Sequence, residues 1–127
     1  MEEKKILFVD NEEDQRIIVQ KLLTRLGYNV AVEESPWEAL RRVESEPFDL
    51  VITDLIMPDM DGTELCERIR KVNPNTVIYA FSGYFDLFEP AKIKRAGFDG
   101  HIDKPLQIND LEKQIAKAFE KEANIES

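Results

Sequence analysis

Polar residues that could do chemistry stand directly beyond apolar runs. Asp10 and Asn11 follow ILFV, Asp54 follows LVIT, Ser82 follows VIYAF, and Lys104 follows HID. Carboxyl and amide oxygens converging in this way make a hard-oxygen site suited to magnesium, which takes few protein oxygens and keeps waters that a phosphate can displace. Asp10 and Asp54 are the first two ligands on this reading. Each closes a buried run, where like charges need a compensating cation, and Lys104 is the candidate within the chain. Glu12, Glu13 and Asp14 are acidic too, but acids are common at a helix start because they complement its dipole.

Convergence requires elements that bring these positions to one edge. Short continuous apolar runs at Ile6–Val9, Leu50–Thr53 and Val77–Phe81 read as strands buried on both faces of a parallel sheet. Asn29–Val32 and the segment around His101 and Ile102 are weaker members of the same alternation. Between them lie helical stripes: Ile18, Val19, Leu22, Leu23 and Leu26; Leu65, Cys66, Ile69 and Val72; Leu111, Ile115, Ala118 and Phe119. Ser35-Pro36-Trp37-Glu38 has capping-box spacing with Pro at the first helical position, and Asn109 followed by Glu112 marks the last helix start. Gly27 and Gly97 stand where helices should stop. Repeated strand-helix units with right-handed crossovers predict an α/β protein, a doubly wound sheet of five parallel strands with five helices on its two faces. In such folds, sites form at the carboxyl ends of strands.

Composition narrows the function. The 127-residue chain carries 26 acidic against 17 basic residues, a formal net charge of -9, which disfavours direct binding to nucleic acid or to an anionic membrane surface. Its single cysteine, Cys66, permits no disulfide within the chain and reads as a small buried hydrophobe. The apolar run near the N-terminus is far too short for a signal peptide or a membrane span, so a cytoplasmic protein is expected. One domain over residues 1–123 with a short polar tail at 124–127 is the expected organisation, the last helix ending near Glu122.

LFVDNEE, VITDLIMPDMDG, AFSGY and HIDKP resemble, in order and spacing, the four signature blocks of response regulator receiver domains of two-component systems. The resemblance covers nearly the whole chain and implies a flavodoxin-like (βα)5 three-layer sandwich. It implies that Asp54 accepts a phosphoryl group from a sensor histidine kinase or histidine phosphotransfer protein. Magnesium would be held by Asp10, Asn11, Asp54 and the backbone carbonyl of Ile56. Lys104 would pair with a phosphoryl oxygen, and Ser82 would move its hydroxyl onto the phosphoryl group. Such a domain catalyses its own phosphorylation and slow autodephosphorylation. A downstream protein would be met through the face of the fourth helix, fifth strand and fifth helix, with a homodimer left open. The Lys104-Pro105 peptide is expected to be cis, and Gly83 to leave a path for the donor histidine.

Two departures matter. The family has a second acid where this chain has Asn11, whose amide can still coordinate but brings no charge. His101 stands where the family has an inward-turning Tyr or Phe, so it is either a switch residue or an ordinary strand histidine. Ile56 and Tyr84 fall at two positions that, in the family, line the path of the hydrolytic water, and neither resembles a water-orienting acid or amide, so the resemblance implies a long-lived phosphorylated state. Among Tyr84, Phe85 and Phe88 at least one is assigned to the surface; Trp37 is compatible with core or surface.

Other classes fit less well. A nucleotide-binding relative would need small and hydroxyl residues after the first strand, and NEED stands there. A phosphatase with an aspartate nucleophile would need a second acid two residues after Asp54, where Ile56 stands. The competing reading within the family is a phosphorylation-independent interaction domain.

Overall fold

A computed structural model describes residues 4–83 and 90–126. Five strands alternate with five helices: β1 Lys5–Val9, α1 Glu13–Arg25, β2 Asn29–Glu33, α2 Pro36–Ser45, β3 Leu50–Asp54, α3 Gly62–Val72, β4 Val77–Ser82, α4 Pro90–Ala96, β5 Gly100–Asp103 and α5 Ile108–Glu126. All pairings are parallel, in the order β2-β1-β3-β4-β5. The chain crosses from β2 over β1 to β3, so the direction of winding reverses between β1 and β3. That reversal opens a crevice at the carboxyl ends of those two strands.

Alternation along the central strands builds two cores. Ile6, Phe8, Leu50, Ile52, Val77, Tyr79 and Phe81 pack with Val19 and Leu23 of α1 and with Leu111, Ile115 and Ala118 of α5. Leu7, Val9, Val51 and Ile78 face the other way, onto Ala39 and Val43 of α2, Leu65, Cys66 and Ile69 of α3, and Ala96 of α4. β1, β3 and β4 are thus apolar on both faces, which is why they read as continuous runs. β2 is an edge strand and only half buried.

Several expectations shift in detail. Ile18 of α1, Leu26 at its C-cap and Val72 of α3 are exposed, because each helix presents a narrower arc to the sheet than its apolar spacing suggested. Ser35 caps α2 by accepting from Trp37 N at 3.2 Å, one residue earlier than a capping box expects. α5 begins at Ile108, with Leu111 N already bonded to Gln107 O at 2.9 Å, so Asn109 lies inside the first turn and not at the cap. The same helix runs to Glu126, past the end expected near Glu122. Gly27 and Gly97 do end their helices, with φ of 96° and 102° in the region where a side chain would be strained. Among the described residues no helix is long and apolar enough to cross a membrane.

Candidate phosphoacceptor site

The ends of β1, β3 and β5 converge on three charged groups. Lys104 Nζ lies 3.2 Å from Asp10 Oδ2 and 3.2 Å from Asp54 Oδ2. Asp10 is fully buried and Asp54 is 5% exposed, so both carboxylates lie largely out of water. Lys104 reaches them from beyond β5, and the Lys104-Pro105 peptide is cis, as expected. Its own N–H donates to Ser82 O at 3.2 Å, and its ammonium also stands over the Phe81 ring at 5.1 Å.

Each carboxylate is fixed by its own loop. Asp10 Oδ1 accepts from Glu12 N at 2.9 Å, and Asp54 Oδ1 accepts from Ile56 N at 3.3 Å. Behind Asp54, Thr53 Oγ1 donates to Asp54 O at 3.0 Å and Gly62 N donates to Leu55 O at 2.8 Å, which holds the return from β3 into α3. Asp61 caps that helix by accepting from Glu64 N at 2.9 Å.

Burial pushes the Asp54 carboxyl above its ordinary value; Lys104 opposes this and Asp10 reinforces it. Burial works against the charge on Lys104, yet the two carboxylates outweigh it and hold its pKa above the ordinary lysine value. Two negative charges shared by one ammonium leave the cluster a positive charge short, as a cation-binding site requires.

The remaining expected site residues stand nearby in different settings. Asn11 is exposed beside Asp10, and Ile56 is 44% exposed beside Asp54. Ser82 is fully buried at the end of β4. His101 is turned outward, its side chain 60% exposed with Nε2 4.0 Å from Asp103 Oδ1. A side chain on Gly83 would make only ordinary contact with Lys104. Tyr84, Phe85, Leu87 and Phe88 lie outside the described residues. Trp37 is 44% exposed, with the Arg68 guanidinium over its ring at 5.1 Å. Cys66 is fully buried, and burial pushes its thiol up to about 12, consistent with an inert hydrophobe.

The donor set suits magnesium. Among the described residues no three His, Cys, Asp or Glu side chains converge on a metal-sized space, so the acidic part is Asp10 and Asp54 alone. Two buried carboxylates meeting at neighbouring strand ends are hard oxygen donors of the kind taken by an ion that keeps most of its waters.

The model of the response regulator receiver domain matches residues 6–116. The chain belongs to the response regulator receiver family. This receiver is 31% identical over 122 residues to the response regulator receiver protein CpdR of Brucella abortus, covering 90% of this chain and 95% of CpdR. It is 32% identical to the transcriptional regulatory protein ZraR of Escherichia coli, covering 90% of this chain but only 26% of ZraR. A receiver domain structure from Methanospirillum hungatei superposes with a TM-score of 0.91 at 33% identity, covering 97% of this chain and 99% of that one. The signal receiver domain of an HD domain-containing protein from Pseudomonas fluorescens gives 0.92 at 29% identity, with 99% and 93% covered.

Two residues that shape the receiver's site were not singled out from the sequence. Arg16 of α1 donates to Asp10 O at 2.8 Å, and Gly62 closes against the Asp54 backbone. An arginine in a helix carries no local sign of where its guanidinium reaches; Gly62 is visible only as the last residue of the DLIMPDMDG block.

Proposed function

We propose that this receiver is a phosphorylation switch whose acceptor is Asp54. The observation that carries the reading is the buried pair of carboxylates, Asp10 and Asp54, sharing the single ammonium of Lys104 at 3.2 Å each. A carboxylate so held is a nucleophile aimed from a rigid strand end.

In the step, an Asp54 carboxylate oxygen bonds to phosphorus while the bond from phosphorus to the donor histidine nitrogen breaks. The electron pair stays on that imidazole and the product is an aspartyl phosphate. Phosphoryl transfer of this kind is mainly positioning and charge neutralisation. Lys104, already between the two acids, supplies one positive charge to the phosphoryl oxygens. Asp10, Asp54, the Asn11 amide and the Ile56 carbonyl would hold magnesium, which when bound would supply the further positive charge the cluster lacks. Ser82, buried at the end of β4, then donates its hydroxyl to the new phosphoryl group, and the movement is passed along β4 and β5 towards His101. On this reading the receiver is cytoplasmic, and its partners are a sensor histidine kinase or histidine phosphotransfer protein and a downstream protein meeting α4, β5 and α5.

Acetyl phosphate labelling across a magnesium titration tests the reading. Wild type takes up label and Asp54→Ala takes up none, whereas a wild type unlabelled at every magnesium concentration turns the assignment to the phosphorylation-independent interaction domain. Asn11→Asp restores a charge at the partly solvated rim and lowers the magnesium needed for half-maximal labelling by about tenfold, the equivalent of ~1.4 kcal/mol.

A second expectation concerns lifetime. The Ile56 side chain is apolar and partly exposed two residues beyond Asp54, and it offers no polar group to orient an attacking water. Purified phosphoprotein therefore loses label slowly, and Ile56→Asn or Ile56→Glu shortens the half-life by about tenfold, at the low end of what a positioned polar or acid-base group contributes. Equal half-lives in all three proteins would remove Ile56 from this role.

A further inference from the structure

Arg16 is a charged side chain only 16% exposed, on the first turns of α1. Its Nη1 donates to the main-chain carbonyl of Asp10 at 2.8 Å, and its Nη2 stands 3.7 Å from a carboxylate oxygen of Glu34. Glu34 is 75% exposed, so that ion pair contributes little and the carbonyl is the guanidinium's main partner. Asp10 is held at every polar group: its N–H donates to Glu33 O at 3.1 Å, Oδ1 accepts from Glu12 N at 2.9 Å, and Oδ2 accepts from Lys104 Nζ at 3.2 Å. Arg16 supplies the remaining contact, on the carbonyl that belongs to the Asp10-Asn11 peptide.

We infer that Arg16 is a positioning residue for the cation site: it fixes the Asp10-Asn11 peptide plane and so sets where the Asn11 amide stands. The inference rests on the cation site read above. An acid at Asn11 would be drawn to a bound cation by its own charge. A neutral amide has no such pull, so its usefulness depends on how the backbone carries it. The guanidinium suits the task because its planar fork presents donors in a fixed orientation to the carbonyl, whereas a lysine ammonium is a rotatable point charge on a flexible stem.

The test is calorimetric magnesium titration of the full chain without phosphodonor, with thermal midpoints measured alongside. Arg16→Gln weakens magnesium binding by about tenfold, the lower end of the cost of losing a group that orients a metal ligand. Arg16→Lys keeps the charge and one donor and loses about threefold, which supplies the comparison if Arg16→Gln unfolds. Glu34→Gln binds as wild type. A purely structural arginine would lower the midpoint and leave the affinity of the folded protein unchanged, and that result in Arg16→Gln, or in Arg16→Lys where Arg16→Gln unfolds, overturns the inference. If the wild type itself binds no magnesium, the reading of the cation site falls and this role falls with it. Wild-type binding retained in both Arg16 variants removes the role of Arg16 alone.

Discussion

Replacing Lys104 with methionine is expected to destabilise the receiver by about 3 kcal/mol near neutral pH without magnesium, because removing one partner of a buried ion pair strands the other. Here it strands two carboxylates, Asp10 fully buried and Asp54 nearly so. For a chain of this length the loss lowers Tm by roughly 10 °C, readable by calorimetry. Added magnesium recovers part of it, since a ligand that binds only the folded state stabilises that state. Labelling of the variant by acetyl phosphate slows by about a hundredfold, the usual cost of one preorganised donor lost from a site where charge develops. A variant that melts at the wild-type temperature would mean that the carboxylates are not held ionised by this ammonium.

The opposite sign is expected at Asp54. Asp54→Asn leaves Lys104 and Asp10 as a balanced pair and removes a carboxylate that burial disfavours, so the fold gains about 1 kcal/mol near neutral pH. The pH dependence follows from the two shifts. Asp54 has its pKa raised on folding, so the native state holds the proton more tightly and stability falls as pH rises through the window from the unfolded to the folded value. Asp54→Asn lacks that fall. Lys104 is also raised, so its contribution is complete below its ordinary value of 10.5 and is lost as pH rises through the folded value. Unfolding curves across pH separate the two, because one effect lies in the acid range and the other in the alkaline range.

Asp10, Asp54 and Lys104 were legible in the sequence because each stands at or just beyond a strand end, and parallel topology brings all such ends to one edge. The three central strands were legible for the related reason that burial on both faces leaves no polar residue to interrupt the run. Helix faces were read too broadly. Apolar spacing in α1 marks an arc containing Ile18, Val19, Leu22, Leu23 and Leu26, but only packing decides which side of that arc meets the sheet, and Ile18 and Leu26 fall outside it. Arg16 was hidden for a further reason: its contact joins α1 back to the end of β1, and no periodicity reports a side chain that reaches across a loop. Asp61 shows the same limit in milder form, since Asp61-Gly62-Thr63-Glu64 has the spacing of a cap but was read only as part of a larger motif.

Gly62 gives the second large effect. It opens α3 directly behind Asp54, where a Cβ would overlap the main-chain carbonyl oxygen of Asp54 and stand 2.8 Å from Leu55 Cα. Both obstacles are backbone, so neither can yield by changing rotamer. Relief requires the β3–α3 return to shift, which breaks the Gly62 N to Leu55 O bond of 2.8 Å or turns the Asp54 peptide. In an unobstructed helix, Gly→Ala stabilises by up to about 1 kcal/mol. Gly62→Ala is instead expected to destabilise by about 3 kcal/mol, at the upper end of the usual cost of forcing atoms into a packed site. Because the displaced group is the backbone that carries Asp54, labelling in the folded fraction should fall as well, by about a hundredfold for a displacement near 1 Å. Thermal unfolding and acetyl phosphate labelling read the two effects separately. A Gly62→Ala protein as stable and as readily labelled as wild type would show that the return behind Asp54 is not held as tightly as its close contacts imply.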